Sequence, residues 1–162
     1  MEGLVLKFDG WSKNIFKILF KNIDYSQWEL DIKYWESYGK STIIIDLNNI
    51  DYISSDFAKE ELFTKNNEIF PEFIDLYIGF NNSKSSIKTY KDFVNSNYFL
   101  SVIIIDHRNI EICSKNEKLL NMIKDNFMLS ELNNKRIKEL VNIPLNSVLS
   151  SWRSKSEKGI YE

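Results

Sequence analysis

The chain is poor in the residues that carry most cofactor and disulfide chemistry, with one cysteine, one histidine, five glycines and two prolines among 162 residues. A single cysteine, Cys113, excludes an internal disulfide, so we expect a protein of the reducing cytoplasm. The glycines never cluster, which argues against a glycine-rich phosphate loop. No run approaches the roughly 18 apolar residues of a membrane span, and the first residues lack a signal-peptide pattern. We therefore expect no membrane partner.

The chain also has no large excess of positive or negative charge. The chain carries 21 basic and 23 acidic residues, giving a net charge of −2, and its lysines form no sustained block. Because nucleic-acid affinity depends on clustered positive charge, we expect no nucleic-acid partner. Hydrophobic residues make up 43 % of the chain and aromatic residues 14 %, enough for a sizeable core. We predict one globular domain over residues 1–153, followed by a polar tail over 154–162.

Two blocks of β-branched residues, 42–46 and 102–106, predict strands that are buried on both faces. Apolar spacing predicts helices over 12–21 and from Ser54 or Ser55 to about 67, and capping boxes that start at Thr89 and Ser114 open two more. Pro71 is expected to end the unit that contains the helix from Ser54 or Ser55, and a strand over 73–80 is expected to follow. We predict an α/β or α+β fold with a mixed, mostly buried sheet of five to seven strands, three or four flanking helices and a hairpin near 99–113.

Residues 27–34 show the clearest alternation in the chain. Trp28, Leu30, Ile32 and Tyr34 are predicted to face the core, with the intervening polar residues facing water. If Trp28 and Tyr34 face inward, we expect Trp35 and Tyr38 to be left outside, beside acidic residues. Those acidic residues are Glu29, Asp31 and Glu36. Aromatic residues ringed by acids suit a binding surface for a basic protein, although the same aromatics could equally belong to the core.

Conventional catalytic motifs are scarce. His107 and Cys113 lie on one predicted hairpin, but too far apart along it for a nucleophilic pair, and they are too few for zinc. If the two buried strands are parallel neighbours, Asp46 and Asp106 emerge at one sheet edge, where they could hold Mg²⁺. Aspartate is also an ordinary strand-ending residue. We expect no cofactor.

The segment IIIDLNNIDYISSDFAKEEL, residues 43–62, resembles the core of the sulfate-transporter and anti-sigma-factor-antagonist domain. In antagonists of that family, a serine at the start of the helix is phosphorylated, and the new charge switches partner binding. The resemblance places that role on Ser55. Asp56 and Phe57 depart from the small residues that usually follow the serine, and an N-capping role is the simpler explanation of Ser55.

A second resemblance covers nearly the whole chain. The strings GLVLKF, NID, ESY, TYKDFVNS, VIIID and IEIC, with the late Ser150-Ser151-Trp152, occur in this order. They resemble an uncharacterised family, a domain of unknown function, of small single-domain proteins from low-G+C Gram-positive bacteria. This resemblance implies a single-domain architecture and no catalytic residues.

Together these patterns favour a non-enzymatic, intracellular protein-binding module, such as an immunity or inhibitor protein that occupies a partner. Two alternatives stay open: a phospho-regulated switch of the antagonist type at Ser55, and a metal-dependent enzyme that uses Asp46 and Asp106.

Overall fold

A computed structural model describes residues 2–8, 15–39, 55–64, 69–81, 85–88, 90–105, 109–130 and 137–144. The strands are β1 (Glu2–Phe8), β2 (Glu29–Gly39), β3 (Ile69–Gly79), β4 (Leu100–Ile105), β5 (Asn109–Ser114) and β6 (Ile137–Pro144). The helices are α1 (Ile15–Leu19), α2 (Ser55–Lys59), α3 (Tyr90–Asn95) and α4 (Glu117–Met128), and a π-helical turn, Glu60–Thr64, continues α2.

The six strands form one sheet in the order β2-β3-β4-β5-β1-β6. Every described pairing is antiparallel, so the fold is α+β, and the mixed sheet expected from the sequence is instead antiparallel. β2 to β5 follow one another across the sheet, and β1 then pairs with β5 and β6. The predicted hairpin is confirmed as β4 and β5, while the predicted strand 42–46 lies outside the described residues.

The two faces of the sheet differ in chemistry because alternate residues of a strand point to opposite sides. The first face is apolar and packs against α1, α2, the π-helical turn and α4. Its central strands contribute Ile74, Leu76, Ile78, Leu100, Val102, Ile104, Ile110 and Ile112. The second face mixes apolar and polar residues and carries a smaller cluster that includes α3. All six residues of β4 are buried, as expected for a strand covered on both sides.

Helix α4 shows how the sequence builds the first core. Leu119, Leu120, Ile123 and Phe127 recur at helical spacing and are buried, as predicted. The helix is capped by Asn116, whose side chain accepts a hydrogen bond of 3.1 Å from the Leu119 amide, so the predicted start at Ser114 was two residues early. The Ser114 hydroxyl instead accepts from the Asn116 amide at 3.0 Å.

Strand β3 also departs from the prediction. It begins at Ile69 and runs through Pro71, which was expected to end the preceding unit. Pro71 lies opposite Ser37, next to an irregularity in the register between Glu36 and Ser37. A proline cannot donate to a ladder of backbone hydrogen bonds, so a break in the pairing is a position where a strand tolerates one.

A β-bulge in β2 reverses the alternation predicted for its second half. Ile32 pairs with Leu76 and Tyr34 with Asp75, so Lys33 is an extra residue that no residue of β3 matches. An extra residue shifts every later side chain to the opposite face. Trp35 therefore lies opposite Ile74 in the first core, where it is 4 % exposed and stacks on Phe16 at 6.5 Å.

The bulge predicts which of two neighbouring alanine substitutions lowers the free energy of unfolding more. Trp35→Ala should lower the free energy of unfolding by about 3–5 kcal/mol, the usual loss when a large aromatic side chain leaves a core. Tyr34→Ala should cost clearly less, because Tyr34 is only half-buried. Urea titrations of both variants measure this, and a larger loss for Tyr34→Ala would contradict the bulge.

Candidate functional site

The predicted patch of acids and aromatic residues does not form on one surface. Trp35 belongs to the first core, and Asp31 is 6 % exposed on the second face, so the expectation that these two are surface residues was wrong. The bulge turns Trp35 into the first core, and Asp31 is in contact with the buried Tyr98. Glu29 is half-buried, whereas the side chains of Glu36 and Tyr38 lie outside the described residues.

Asp31 anchors a small polar network on the second face. The Tyr98 hydroxyl donates a hydrogen bond to its carboxylate, and the Lys33 ammonium lies 2.8 Å from the same oxygen. The Ser85 amide in turn donates to the Tyr98 hydroxyl at 2.9 Å. Burial, followed by the hydrogen bond to Asp31, raises the pKa of Tyr98 far above its ordinary value. The phenol therefore stays protonated and serves as a fixed donor.

The remaining polar residues of the second face lie near the middle of the sheet. Asp75, Ser101 and Glu111 are buried there, and Cys113 lies directly opposite Ser101. Burial is the main reason that the pKa of the Cys113 thiol is strongly raised, and the nearby Glu111 carboxylate raises it further. The thiol is therefore protonated and unsuited to nucleophilic attack. Within the described residues, no group of three carboxylate, histidine or cysteine ligands could hold a metal ion.

Ser55 lies at the start of α2, as the resemblance to antagonists implies, but its hydroxyl is already engaged. It accepts a hydrogen bond of 2.8 Å from the Leu30 amide and lies 3.5 Å from the Trp28 carbonyl oxygen, to which it donates. The hydroxyl thus links the start of α2 to the beginning of β2. Phosphorylation of Ser55 would break this link, and it remains a prediction from the sequence.

Asp46 and Asp106 both lie outside the described residues, and so does His107. The structure does bear on the premise of the metal prediction, because β4, which precedes Asp106, is antiparallel to both of its neighbours, β3 and β5. Neighbouring antiparallel strands end at opposite edges of a sheet, so neither neighbour brings a second carboxyl end to the edge at Asp106. The metal site itself stays a prediction.

The clearest surface feature is an aromatic side chain that the sequence analysis missed. Phe80 follows β3 and is 65 % exposed, the one exposed aromatic side chain among those whose burial is described. Its ring stacks on Phe99 at 4.4 Å with an interplanar angle of 20°. Phe99 in turn meets the buried Trp28 edge to face at 5.6 Å. We call Phe80 and Phe99 the Phe80 stack. Its sequence signal was a phenylalanine at a strand end, directly before Asn81-Asn82.

The Phe80 stack is the outer end of a longer series of aromatic contacts. Trp28 packs edge to face against Phe20 at 5.4 Å, and Phe20 against Phe63 at 5.0 Å. Offset and edge-to-face contacts of this kind are favourable beyond the area they bury. The exposed ring is therefore continuous with the first core, which fixes its position.

No protein-family model, curated protein or solved structure shows a significant match to this chain. Both family resemblances inferred from the sequence stay predictions. In the parts of the chain that the structure describes, no helix has the length and apolar character needed to cross a membrane.

The link made by Ser55 is testable by substitution. Ser55→Ala should lower the free energy of unfolding by about 1–2 kcal/mol, because it leaves the amide of the buried Leu30 without its acceptor. Ser86→Ala is the control, since Ser86 is exposed, and it should change stability by less than about 0.5 kcal/mol. Equal thermal midpoints for the two variants would show that the Ser55 hydroxyl contributes no stability.

The raised pKa of the buried Cys113 thiol makes the free energy of unfolding depend on pH. The pKa of Cys113 is raised in the folded protein, so its contribution is complete below the thiol pKa of the unfolded chain, about 8.5, and is lost as pH rises above it. The free energy of unfolding should fall by up to about 1.4 kcal/mol per pH unit there. Cys113→Ala should remove this slope in urea titrations between about pH 8.5 and 9.5, and an unchanged slope would rule out the thiol as its source.

Proposed function

We propose that this chain is a non-enzymatic protein-binding module that acts by occupying a partner protein, in the manner of an immunity or inhibitor protein. The observation that carries the proposal is the Phe80 stack, an exposed aromatic ring held against a second ring at 4.4 Å. Binding energy at protein interfaces is concentrated in a few such anchors, with aromatic residues enriched among them.

The rigidity of the stack supports this role. Phe99 contacts both the exposed Phe80 and the buried Trp28, so the outer ring is braced from the core. Backbone hydrogen bonds fix the same region. The Phe99 amide donates to the Ile78 carbonyl at 2.9 Å, and the Phe99 carbonyl accepts from the Lys115 amide at 2.8 Å. An anchor that is already ordered loses little conformational entropy on binding.

We further propose that the partner is basic, because the net charge of −2 favours encounter with a positively charged protein over longer distances. We place the interaction in the cytoplasm, where a lone cysteine stays reduced.

The Phe80 stack can be tested by truncating its outer ring. Phe80→Ala should weaken partner binding by about 30-fold or more, the loss typical of an interface hot spot, while the thermal midpoint changes little because Phe80 is exposed. The partner is first isolated by pull-down with the wild-type chain from the native host, and its affinity is then measured by titration.

Leu129→Ala is the matched control, because Leu129 is apolar and 87 % exposed but follows α4, away from the Phe80 stack. It should bind like the wild type. Equal affinities of Phe80→Ala and the wild type for every captured protein would refute the proposal. If the partner is a toxin, the wild type should suppress its activity at an equimolar ratio, and Phe80→Ala should not.

A further inference from the structure

A short segment lies over the second face of the sheet and joins the smaller core cluster there. It consists of Ser85–Lys88 and α3, and we call it the cover segment. Phe93 is fully buried, whereas the other α3 side chains whose burial is described are exposed or half-exposed, including Val94 at 36 %. Lys88 is tied to the same helix, since its amide donates to the Asp92 carboxylate at 2.9 Å.

Ile87 and Phe93 are the buried apolar side chains by which this segment joins the smaller cluster, and Phe93 is the larger of the two. Its ring lies 6.2 Å from that of Tyr77 on β3, and the Lys115 ammonium, just beyond β5, lies 5.2 Å from its centre. Phe93 therefore reaches across from β3 to the end of β5. The cluster it joins is much smaller than the first core and shares no buried residue with it. Segments with few buried apolar contacts open at lower free energy than the rest of a domain.

The Tyr98 hydroxyl provides one polar attachment, and the Lys115 ammonium provides another by donating to the Ser96 carbonyl, just past α3, at 2.7 Å. The Tyr98 hydroxyl accepts a hydrogen bond from the Ser85 amide at 2.9 Å and donates one to the Asp31 carboxylate on β2. It therefore connects one end of the cover segment to the opposite strand. Its bond to a carboxylate is of the stronger, charge-assisted kind.

We infer that the cover segment is a lid, which opens while the sheet and the first core stay folded, and that the Tyr98 hydroxyl, bonded to both Ser85 of the segment and Asp31 of β2, holds it closed. We expect opening to uncover Tyr77 and Cys113, which share the smaller cluster with Phe93. These two belong to a row in which Asp31, Tyr77, Ser101 and Cys113 lie opposite one another across four strands. This inference does not depend on the proposed function, since the Phe80 stack is separate from this row.

A natural reporter of lid opening lies on the sheet, in the cluster that the lid joins. Cys113 is the one cysteine of the chain, is fully buried, and belongs to the same small cluster as Phe93. Alkylation by iodoacetamide under native conditions, followed by intact mass, measures how often the thiol becomes accessible. Tyr98→Phe keeps the ring and removes the hydroxyl, and it should speed labelling about tenfold or more, as expected for the loss of a hydrogen bond to a carboxylate.

A core variant separates lid opening from global unfolding. Ile123→Val removes a buried methylene from the first core, which stays packed when the lid opens, so labelling should change by less than about twofold. If Cys113 were labelled only through global unfolding, Ile123→Val would speed labelling about fivefold. That result, or unchanged labelling in Tyr98→Phe, would overturn the lid.

Hydrogen exchange of the wild type gives an independent readout that needs no variant. The amide of Ser96, which donates to the Phe93 carbonyl at 3.2 Å, should exchange at least about tenfold faster than the amides of β4. Equal protection in α3 and β4 would also overturn the inference, because the cover segment would then open only together with the sheet.

Discussion

The structure depends on burying both faces of one antiparallel sheet whose two faces differ in chemistry. The apolar first face is covered by α1, by α2 with the π-helical turn that continues it, and by α4, while the second face keeps buried carboxylates, two tyrosines and a thiol. Period-two alternation permits this division, because each strand sends successive side chains to opposite sides. A buried polar group is costly unless it is bonded, so the second face is organised by specific contacts such as that between Tyr98 and Asp31.

One extra residue, Lys33, decides how β2 contributes to these faces. With it, Trp35 enters the first core and stacks on Phe16. Without it, the alternation would have placed the tryptophan on the second face. The surface aromatic is instead Phe80, which directly follows the neighbouring strand β3 and ends the series of rings that begins in the core. The candidate binding surface is thus a product of packing, since the buried rings brace the exposed one.

Sequence reasoning predicted the features that depend on local periodicity. The hairpin of β4 and β5 and the buried face of α4 were visible as β-branched blocks and as helical spacing. Whether neighbouring strands run parallel or antiparallel was not visible in the sequence, because both kinds of neighbour of a buried strand can have the same composition. The bulge at Lys33 and the passage of β3 through Pro71 depend on pairing with another strand, which local composition does not encode. Likewise, the exposure of Phe80 depends on what the loops leave uncovered.

The central claim is that the Phe80 stack contacts a protein partner, and cross-linking in the native host tests it most directly. A photoreactive phenylalanine analogue placed at position 80 should give one dominant adduct on irradiation, and the same analogue at position 129 should not form it. Position 129 is even more exposed, so it controls for random encounters. No adduct at position 80, or the same adducts at both positions, would contradict the account.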